Sequence, residues 1–197
     1  MEKFYLEKPS LKRKEEALEY INEFLENKSE IHGVSGLNNY MDDYENWLKF
    51  IEENWNRKVS DTLVPSHTYF FIRKNDNKII GMIDIRLALN ETLRKYGGNI
   101  GYSIRPTERR KGYNKINLYM ALKVCNENGL EKVMLDCDKT NLGSANTIKS
   151  LGGSLTKEEY NNESKTVMQD YWINVKESLL KNAKYEEYIS INWYKLI

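Results

Sequence analysis

A run of basic residues around a glycine is the feature of this sequence with the clearest chemistry. Arg109, Arg110 and Lys111 precede Gly112, and Lys115 follows within one helical turn. The residues before this run predict a strand closed by a proline, and those after it predict an amphipathic helix. Such a loop points its backbone N–H groups at one spot, and the helix adds the positive end of its dipole. The segment therefore predicts a binding site for a diphosphate.

An Arg-x-x-Gly loop alone is weak evidence for such a site. Tetrapeptides of this kind are common, and a solvated basic turn with a glycine for its positive φ is an equally good interpretation. The surroundings favour a site, because a strand precedes the loop and a helix follows it. A second strand is predicted at residues 132–137, and Asn141 and Ser144 then lie beside another helix.

Periodicity predicts the elements that position this loop. A strand at residues 3–7 is followed by two helices between residues 10 and 60, the second capped by Asp42 or Asp43. Alternating β-branched and aromatic residues predict a hairpin at residues 69–89. The remaining expected elements are a polar loop at 90–98, a strand at 99–105, a helix that stops at Asn128-Gly129, a strand at 132–137, a helix at 141–150, strands near 153–160 and 167–175, a helix near 177–184 and a last strand from 189.

Composition limits the classes of function. The 197 residues are 40% apolar and 30% charged, which is typical of a globular chain. Thirty basic residues against 29 acidic ones give a net charge of +1, and this argues against nucleic-acid and membrane partners, which need a basic surplus. No apolar run approaches the ~18 residues of a membrane helix, and the start lacks the pattern of a signal peptide. We expect a cytoplasmic protein in which Cys125 and Cys137 are buried, reduced thiols.

Two motifs together resemble those of the GNAT superfamily of acyl-CoA-dependent N-acetyltransferases. Its signature loop is Arg/Gln-x-x-Gly-x-Gly/Ala, and Arg109, Gly112 and Asn114 stand at the marked positions. Asn141 and Ser144 match the Asn-x-x-Ala/Ser pattern of the helix that follows the next strand. A group of predicted bacterial acetyltransferases with no defined substrate has segments similar to IGYSIRPTERRKGY and CDKTNLGSANTIKSLGG. Asn114 departs from the family's small residue.

The resemblance covers residues 66–175 and implies an α+β fold of three layers. In this fold a mixed, mostly antiparallel sheet is flanked by helices, and its fourth and fifth strands splay apart. One domain is expected over residues 1–197, with an N-terminal strand and helices at 1–65, the core with the coenzyme A site at 66–175 and a C-terminal extension at 176–197. A homodimer is left open.

The resemblance also implies a ligand and its contacts. Acetyl-CoA is expected as a co-substrate, without a metal. Its pyrophosphate is expected on the N–H groups of residues 110–115, where a side chain at residue 112 would block the approach. Its pantetheine arm is expected along the backbone near Ile104. The expected cofactor-binding residues are Ile104, Arg109, Arg110, Lys111, Gly112, Tyr113, Asn114, Lys115, Asn141 and Ser144.

The catalytic residues of relatives are absent from the corresponding positions of this chain. Many relatives have a thiolate-protonating tyrosine at the position of Ile148, and some have a glutamate base where this chain has Gly97-Gly98-Asn99. Tyr102 is our candidate proton donor to the leaving thiolate, with core packing as the alternative. Asp84 is the candidate base, acting through a water, with a solvent-facing carboxylate as the alternative.

Three further residues lie together on the strand at 132–138. Asp136 and Asp138 flank Cys137 and are expected to point to the opposite face from it, with a surface role favoured over a place in the acceptor site. Cys137 has no histidine near it in sequence, and the family transfers its acyl group directly. A covalent acetyl-cysteine is therefore not expected.

The implied reaction is direct transfer of an acetyl group from acetyl-CoA to a primary amine of a small molecule or peptide. The alternative is a non-catalytic acyl-CoA sensor or protein-interaction module on the same fold. The acceptor is not predicted, because residues 10–60, 88–98 and 155–197 form the substrate cleft in this family. In those ranges the resemblance is thinnest.

Overall fold

The computed structural model describes residues 1–195, which form two sheets and the helices that cover them. The last two residues of the expected extension at 176–197 lie outside the described part of the chain. In chain order the elements are β1 (Phe4–Glu7), α1 (Lys14–Glu26), α2 (Tyr44–Trp55), β2 (Ser66–Arg73), β3 (Lys78–Arg86), α3 (Glu91–Lys95), β4 (Ile100–Ile104), α4 (Tyr113–Glu127), β5 (Lys132–Asp138), α5 (Leu142–Ser150), β6 (Ser154–Asn161), β7 (Thr166–Asn174), α6 (Val175–Lys181) and β8 (Ile189–Lys195).

The two sheets meet at β4 and β5. One sheet has the order β4-β3-β2-β1-β8 and the other the order β5-β7-β6. Neighbouring strands are antiparallel except β1 and β8, which are parallel. Asn99 joins the sheets, since its N–H donates to Met134 O at 2.7 Å and its side-chain oxygen accepts the Met134 N–H at 2.8 Å. Within residues 1–195 no ladder joins β4 to β5, so the expected splayed pair is confirmed.

Helices cover both faces of the larger sheet, which makes three layers. The aromatic residues of α1 and α2, such as Tyr20 and Trp47, pack with Phe70 of β2 on one face. Phe71, the next residue of β2, packs on the opposite face in a core with α4, α5 and α6, as strand alternation requires. The expected α+β fold, with a mostly antiparallel sheet flanked by helices, is confirmed. Among residues 1–195 no helix has both the length and the apolar content needed to cross a bilayer.

The phase of β4 decides which of its groups face the gap. Arg105 donates its N–H to Ile80 O at 2.9 Å, which fixes the antiparallel ladder between β3 and β4. Alternate residues of an antiparallel strand turn their peptide groups to opposite neighbours. The residues of β4 that turn their peptide groups to the gap are therefore Ile100, Tyr102 and Ile104.

The structure differs from expectation between β3 and β4. The polar loop expected at residues 90–98 contains α3, one short helix. Asn90 caps it, because its side-chain oxygen accepts the Leu93 N–H at 3.0 Å. Gly97 and Gly98 then turn the chain into β4 with φ values of 99° and 56°. This helix is too short to show a hydrophobic period in the sequence.

Candidate functional site

A cleft of about 1040 Å³ runs along the gap between β4 and β5. The loop between β4 and α4 lines one end of the cleft. Arg86, Gly97 and Asp136 line the other end, and Tyr102 and Cys137 lie between. Nine of the ten residues that the sequence predicted for ligand binding line this one opening, and Lys111 is the exception.

The loop between β4 and α4 presents unpaired backbone amides to this cleft. Arg110 and Gly112 have positive φ values of 63° and 81°, a backbone arrangement that turns successive N–H groups to one side. Among the described residues, the N–H groups of residues 110–114 have no acceptor, and Lys115 N–H donates to Gly112 O at 3.1 Å. Gly112 begins α4 without a side-chain cap. These free amides form an anion cradle at a helix N-terminus.

Gly112 leaves room for a ligand beside the backbone. A Cβ built on this residue meets no atom of the chain within 4 Å, and the residue lines the cleft. Its positive φ also disfavours any residue with a side chain. The space beside Gly112 therefore belongs to the cleft, which fits a phosphate group in contact with the amides.

The guanidinium of Arg109 is held by hydrogen bonds to other residues of the chain. Its Nε donates to Ile104 O at 3.1 Å, and its Nη2 donates to Ser29 at 2.8 Å. The guanidinium lies 5.2 Å from the centre of the Phe24 ring. Arg109 therefore ties the end of β4 to the segment after α1. It also occupies the Ile104 carbonyl.

The other cations of the loop differ in how free they are. Lys111 donates to Glu108 at 2.7 Å, and Arg73 holds the same carboxylate at 2.9 Å. Burial acts to raise the pKa of Glu108, but the hydrogen bonds from Arg73 and Lys111 outweigh it and lower that pKa. Arg110 and Lys115 have no ion pair with a described residue. They are the cations most available to a ligand.

Tyr113 contributes its backbone and not its side chain. Its hydroxyl donates to Glu2 at 2.6 Å, and its ring is tilted against Phe4 at a centroid distance of 5.0 Å. The side chain is thus part of the core behind the loop. The N–H of Tyr113 remains one of the free amides of the cradle.

A polar cluster spans the cleft between β4 and α5. The hydroxyls of Tyr102 and Ser144 are 2.8 Å apart, and Asn141 caps α5 by accepting the Ser144 N–H at 3.0 Å. The side chain of Asn114 lies beside Tyr102, and its oxygen is buried without a hydrogen-bond partner among the described residues. Burial raises the pKa of Tyr102 well above its usual value. The phenol therefore keeps its proton at neutral pH.

Cys137 lies in the cleft as a neutral thiol. Burial is the main cause that raises its pKa, to about 11. A protonated thiol is a weak nucleophile. The geometry thus gives no support to a covalent acetyl-cysteine at this position.

Asp84 lies apart from Tyr102. It is 4% exposed, and its Oδ1 accepts from Ser35 at 2.8 Å and from Thr68 at 3.0 Å, while its Oδ2 is 3.2 Å from Arg86 Nε. Successive residues of a strand point to opposite faces, and the register places Tyr102 opposite Ile83 and not opposite Asp84. Asp84 is neither solvent-facing nor among the described residues that line the cleft. The structure therefore does not bring the two catalytic candidates together.

Sequence reasoning missed Arg86 and favoured a surface place for Asp136. Arg86 Nη1 donates to Gly97 O at 3.0 Å and to Gly98 O at 3.1 Å, and Asp136 Oδ2 accepts the Gly97 N–H at 2.8 Å. Both side chains line the cleft. The i, i+2 spacing of Asp84 and Arg86 on a strand was the available signal, since it places them on one face.

Comparison with known proteins gives a family and a fold. The model of a family described as "Acetyltransferase (GNAT) family" matches residues 23–152, well over half of the chain. No curated protein sequence matches.

Three solved structures with the same fold carry related names. One is the microcin C7 self-immunity acetyltransferase MccE in complex with acetyl-CoA and AMP, with a TM-score of 0.62, 20% identity and coverage of 86% of this chain and 91% of that chain. Another is RimJ of Mycobacterium smegmatis in complex with CoA-disulfide, with a TM-score of 0.69, 11% identity and coverage of 91% and 89%. The third is yncA of Salmonella typhimurium, a putative acetyltransferase with acetyl-CoA, with a TM-score of 0.60, 12% identity and coverage of 87% and 94%. At these identities the similarity shows the fold.

Proposed function

The chain belongs to the acetyltransferase (GNAT) family, and on this premise we propose that it transfers an acetyl group from acetyl-CoA directly to a primary amine of a small molecule or a peptide. The observation that carries this proposal is the row of unpaired amides at residues 110–114, at the head of a cleft that contains a protonated Tyr102. The row supplies a site for the nucleotide's diphosphate. The tyrosine supplies a proton where the thioester would react.

The backbone cradle is the main proposed contact to the co-substrate. The N–H groups of residues 110–114 have no acceptor among the described residues, and each hydrogen bond to a charged acceptor is worth about 1.5–3 kcal/mol. Arg110 and Lys115 add Coulomb attraction, but solvent-exposed charges contribute only ~1 kcal/mol or less each. The N–H of Ile104 and the peptide group of Tyr102 face the gap and can hydrogen-bond the amides of the pantetheine arm. Asn114 adds an acceptor with no partner of its own among the described residues.

Acetyl-CoA supplies the acetyl group as a thioester, and the chain supplies position and a proton. Tyr102 Oη carries the proton that the departing sulfur needs when the carbon–sulfur bond breaks and the carbon–nitrogen bond forms. The proton lost by the acceptor nitrogen returns to the phenolate through water, so the tyrosine is unchanged after one turnover. Ser144, at 2.8 Å, holds the hydroxyl of Tyr102 in place. Holding both reactants in one cleft supplies much of the rate.

Asp84 has a positioning role in this proposal. Its two oxygens are occupied by Ser35, Thr68 and Arg86, so it fixes the Arg86 guanidinium at the acceptor end of the cleft. The sequence-based assignment of Asp84 as the base stays a hypothesis. It predicts loss of kcat in Asp84→Asn, whereas a positioning role predicts mainly a higher KM for the acceptor.

A non-catalytic acyl-CoA sensor is the second candidate function. One observation favours it: the family's usual proton donor position is Ile148, which is fully buried in the core. The discriminating experiment is release of coenzyme A thiol from acetyl-CoA with a panel of amines, next to calorimetry with acetyl-CoA. Amine-dependent thiol release above the hydrolysis rate is the expected result. Tight binding of acetyl-CoA without amine-dependent release would favour the sensor.

A further inference from the structure

Arg86 presents unused hydrogen-bond donors to the acceptor end of the cleft. Its Nε lies 3.2 Å from Asp84 Oδ2, and its Nη1 donates to Gly97 O and Gly98 O. Its Nη2 has no acceptor among residues 1–195. The side chain is 24% exposed, so the two N–H groups of Nη2 lie in a partly desolvated part of the cleft.

Asp136 presents an unused acceptor beside the same residue. Its Oδ2 accepts the Gly97 N–H at 2.8 Å, and its Oδ1 has no donor among the described residues. Arg86 contacts the carbonyl of Gly97, and Asp136 contacts its N–H. A cation and an anion therefore flank one residue, each with a free group.

Glycines hold the guanidinium of Arg86 in place. A Cβ on Gly101 would lie 3.6 Å from Arg86 Nη2, so the guanidinium extends across the bare backbone of β4. Gly33, with a φ of 71°, packs so closely that its Cβ would lie 2.4 Å from Gly101 O. The segment after α1 thus packs directly on β4 at this point. Arg86 is a fixed group and not a mobile surface arginine.

We propose that the acceptor is an amino acid, an amine with a carboxylate beside it, and this proposal rests on the proposed acetyltransferase function. Arg86 Nη2 binds the carboxylate, and Asp136 Oδ1 binds the amino group before it reacts. A guanidinium matches a carboxylate in geometry and charge. An amine without the carboxylate covers the free Nη2 donors and leaves them unpaired, which is costly in a desolvated site. A polyamine places a second cation against Arg86.

The test compares wild-type protein on matched acceptors. Neutral L-amino acids, their carboxamides and the corresponding decarboxylated amines are assayed for thiol release from acetyl-CoA. We expect kcat/KM for the amino acid to exceed that of its carboxamide by roughly 10- to 100-fold, because a site built to hydrogen-bond a group rejects the analogue that lacks it. Equal or better use of the carboxamides or plain amines would overturn the proposal and leave the acetyltransferase function standing.

Two variants and a control assign the preference to Arg86. Arg86→Gln removes the guanidinium, and Arg86→Lys keeps a cation opposite the buried Asp84 if the first variant folds poorly. In each we expect the preference for amino acid over carboxamide to fall toward one, with unchanged acetyl-CoA affinity. Arg57→Gln removes a guanidinium that pairs with Glu53 on α2 and should keep the preference. An unchanged preference in folded Arg86 variants would contradict the proposal.

A binding measurement separates this inference from the proposed function. Amino acid and carboxamide are titrated by calorimetry into protein saturated with coenzyme A. Tighter binding of the amino acid without any acetylation would support the subsite and overturn the transferase proposal. Acetylation of amines without tighter binding of the amino acid would overturn the proposed subsite and support the transferase proposal.

Discussion

The two ends of the cleft are built from different parts of the polypeptide. At the proposed nucleotide end, the groups available for binding are consecutive peptide amides of residues 110–114, carried on one loop. At the proposed acceptor end, they are the side chains of Arg86 and Asp136, from strands far apart in the chain, which meet at Gly97. A backbone site therefore needs one local motif, whereas a side-chain site depends on the register of distant strands.

A substitution of Gly112 should cause the largest loss of acetyl-CoA affinity. Gly112→Glu places a carboxylate in the open space where phosphate is expected, and we expect acetyl-CoA affinity to fall by more than about 100-fold, or roughly 2.7 kcal/mol. Calorimetry measures the affinity. Gly129→Glu is the matched control, because Gly129 also has open space and a positive φ, of 76° against 81°.

Both glycine variants should lose similar stability, about 1–2 kcal/mol, since each forces a side chain into the left-handed region. Only Gly112→Glu should lose acetyl-CoA. Equal affinity in the two variants would show that the amides of this loop do not hold the ligand.

Loss of the Tyr102 hydroxyl should affect the middle of the cleft without affecting its nucleotide end. We expect Tyr102→Phe to lower kcat by roughly 30- to 100-fold, in the range of general acid catalysis, with little change in acetyl-CoA affinity. Tyr160→Phe, on the exposed strand β6, is the control. Full kcat in Tyr102→Phe would leave the hydroxyl with a packing role only.

The pH profile tests the same assignment. A phenol acts as a proton donor below its pKa and is lost as the pH rises through it. Because burial raises the pKa of Tyr102 above its usual value of 10.0, kcat should show no alkaline decline from this group below pH ~10. A decline near pH 8 that disappears in Tyr102→Phe would contradict this.

Removal of single cations should weaken the nucleotide end only slightly. We expect Lys115→Ala to reduce acetyl-CoA affinity by about two- to fivefold, because exposed charges are screened. Lys149→Ala removes a cation that is not among the described residues lining the cleft and should have no effect in the same titration. A loss of acetyl-CoA affinity as large as that in Gly112→Glu would mean that charges, and not amides, dominate the binding of acetyl-CoA.

Cys137 should matter least, although it lies in the cleft. With its pKa raised to about 11, the thiol is not ionised at neutral pH, and Cys137→Ala should change kcat by less than about threefold. Mass spectrometry of wild-type protein mixed with acetyl-CoA should show no acetylated cysteine. A stable acetyl adduct on Cys137 would contradict direct transfer.

The sequence predicted the features that local chemistry determines. The strand closed by Pro106, the glycine loop and the helix after it all form, and Tyr102 and Ile104 share a face as their spacing required. These features depend on residues within one or two turns of each other. The family resemblance, and the fold that it implies, followed from this segment together with Asn141 and Ser144.

Features that depend on distant pairing were not predicted. Asp136 was expected at the surface, but its hydrogen bond to Gly97 N–H brings it to the cleft. The parallel pairing of β8 with β1 and the placement of Arg86 over Gly101 likewise need strand order and register. Neither strand order nor register can be predicted from a local sequence pattern.

An amide NMR titration of isotope-labelled protein with coenzyme A and, separately, with pantetheine tests directly whether the amides of residues 110–114 bind the nucleotide. We expect the N–H signals of residues 110–114 to shift strongly with coenzyme A and much less with pantetheine, which lacks the nucleotide's phosphates. Saturation with coenzyme A that leaves those amides unshifted would show that they do not hold the ligand.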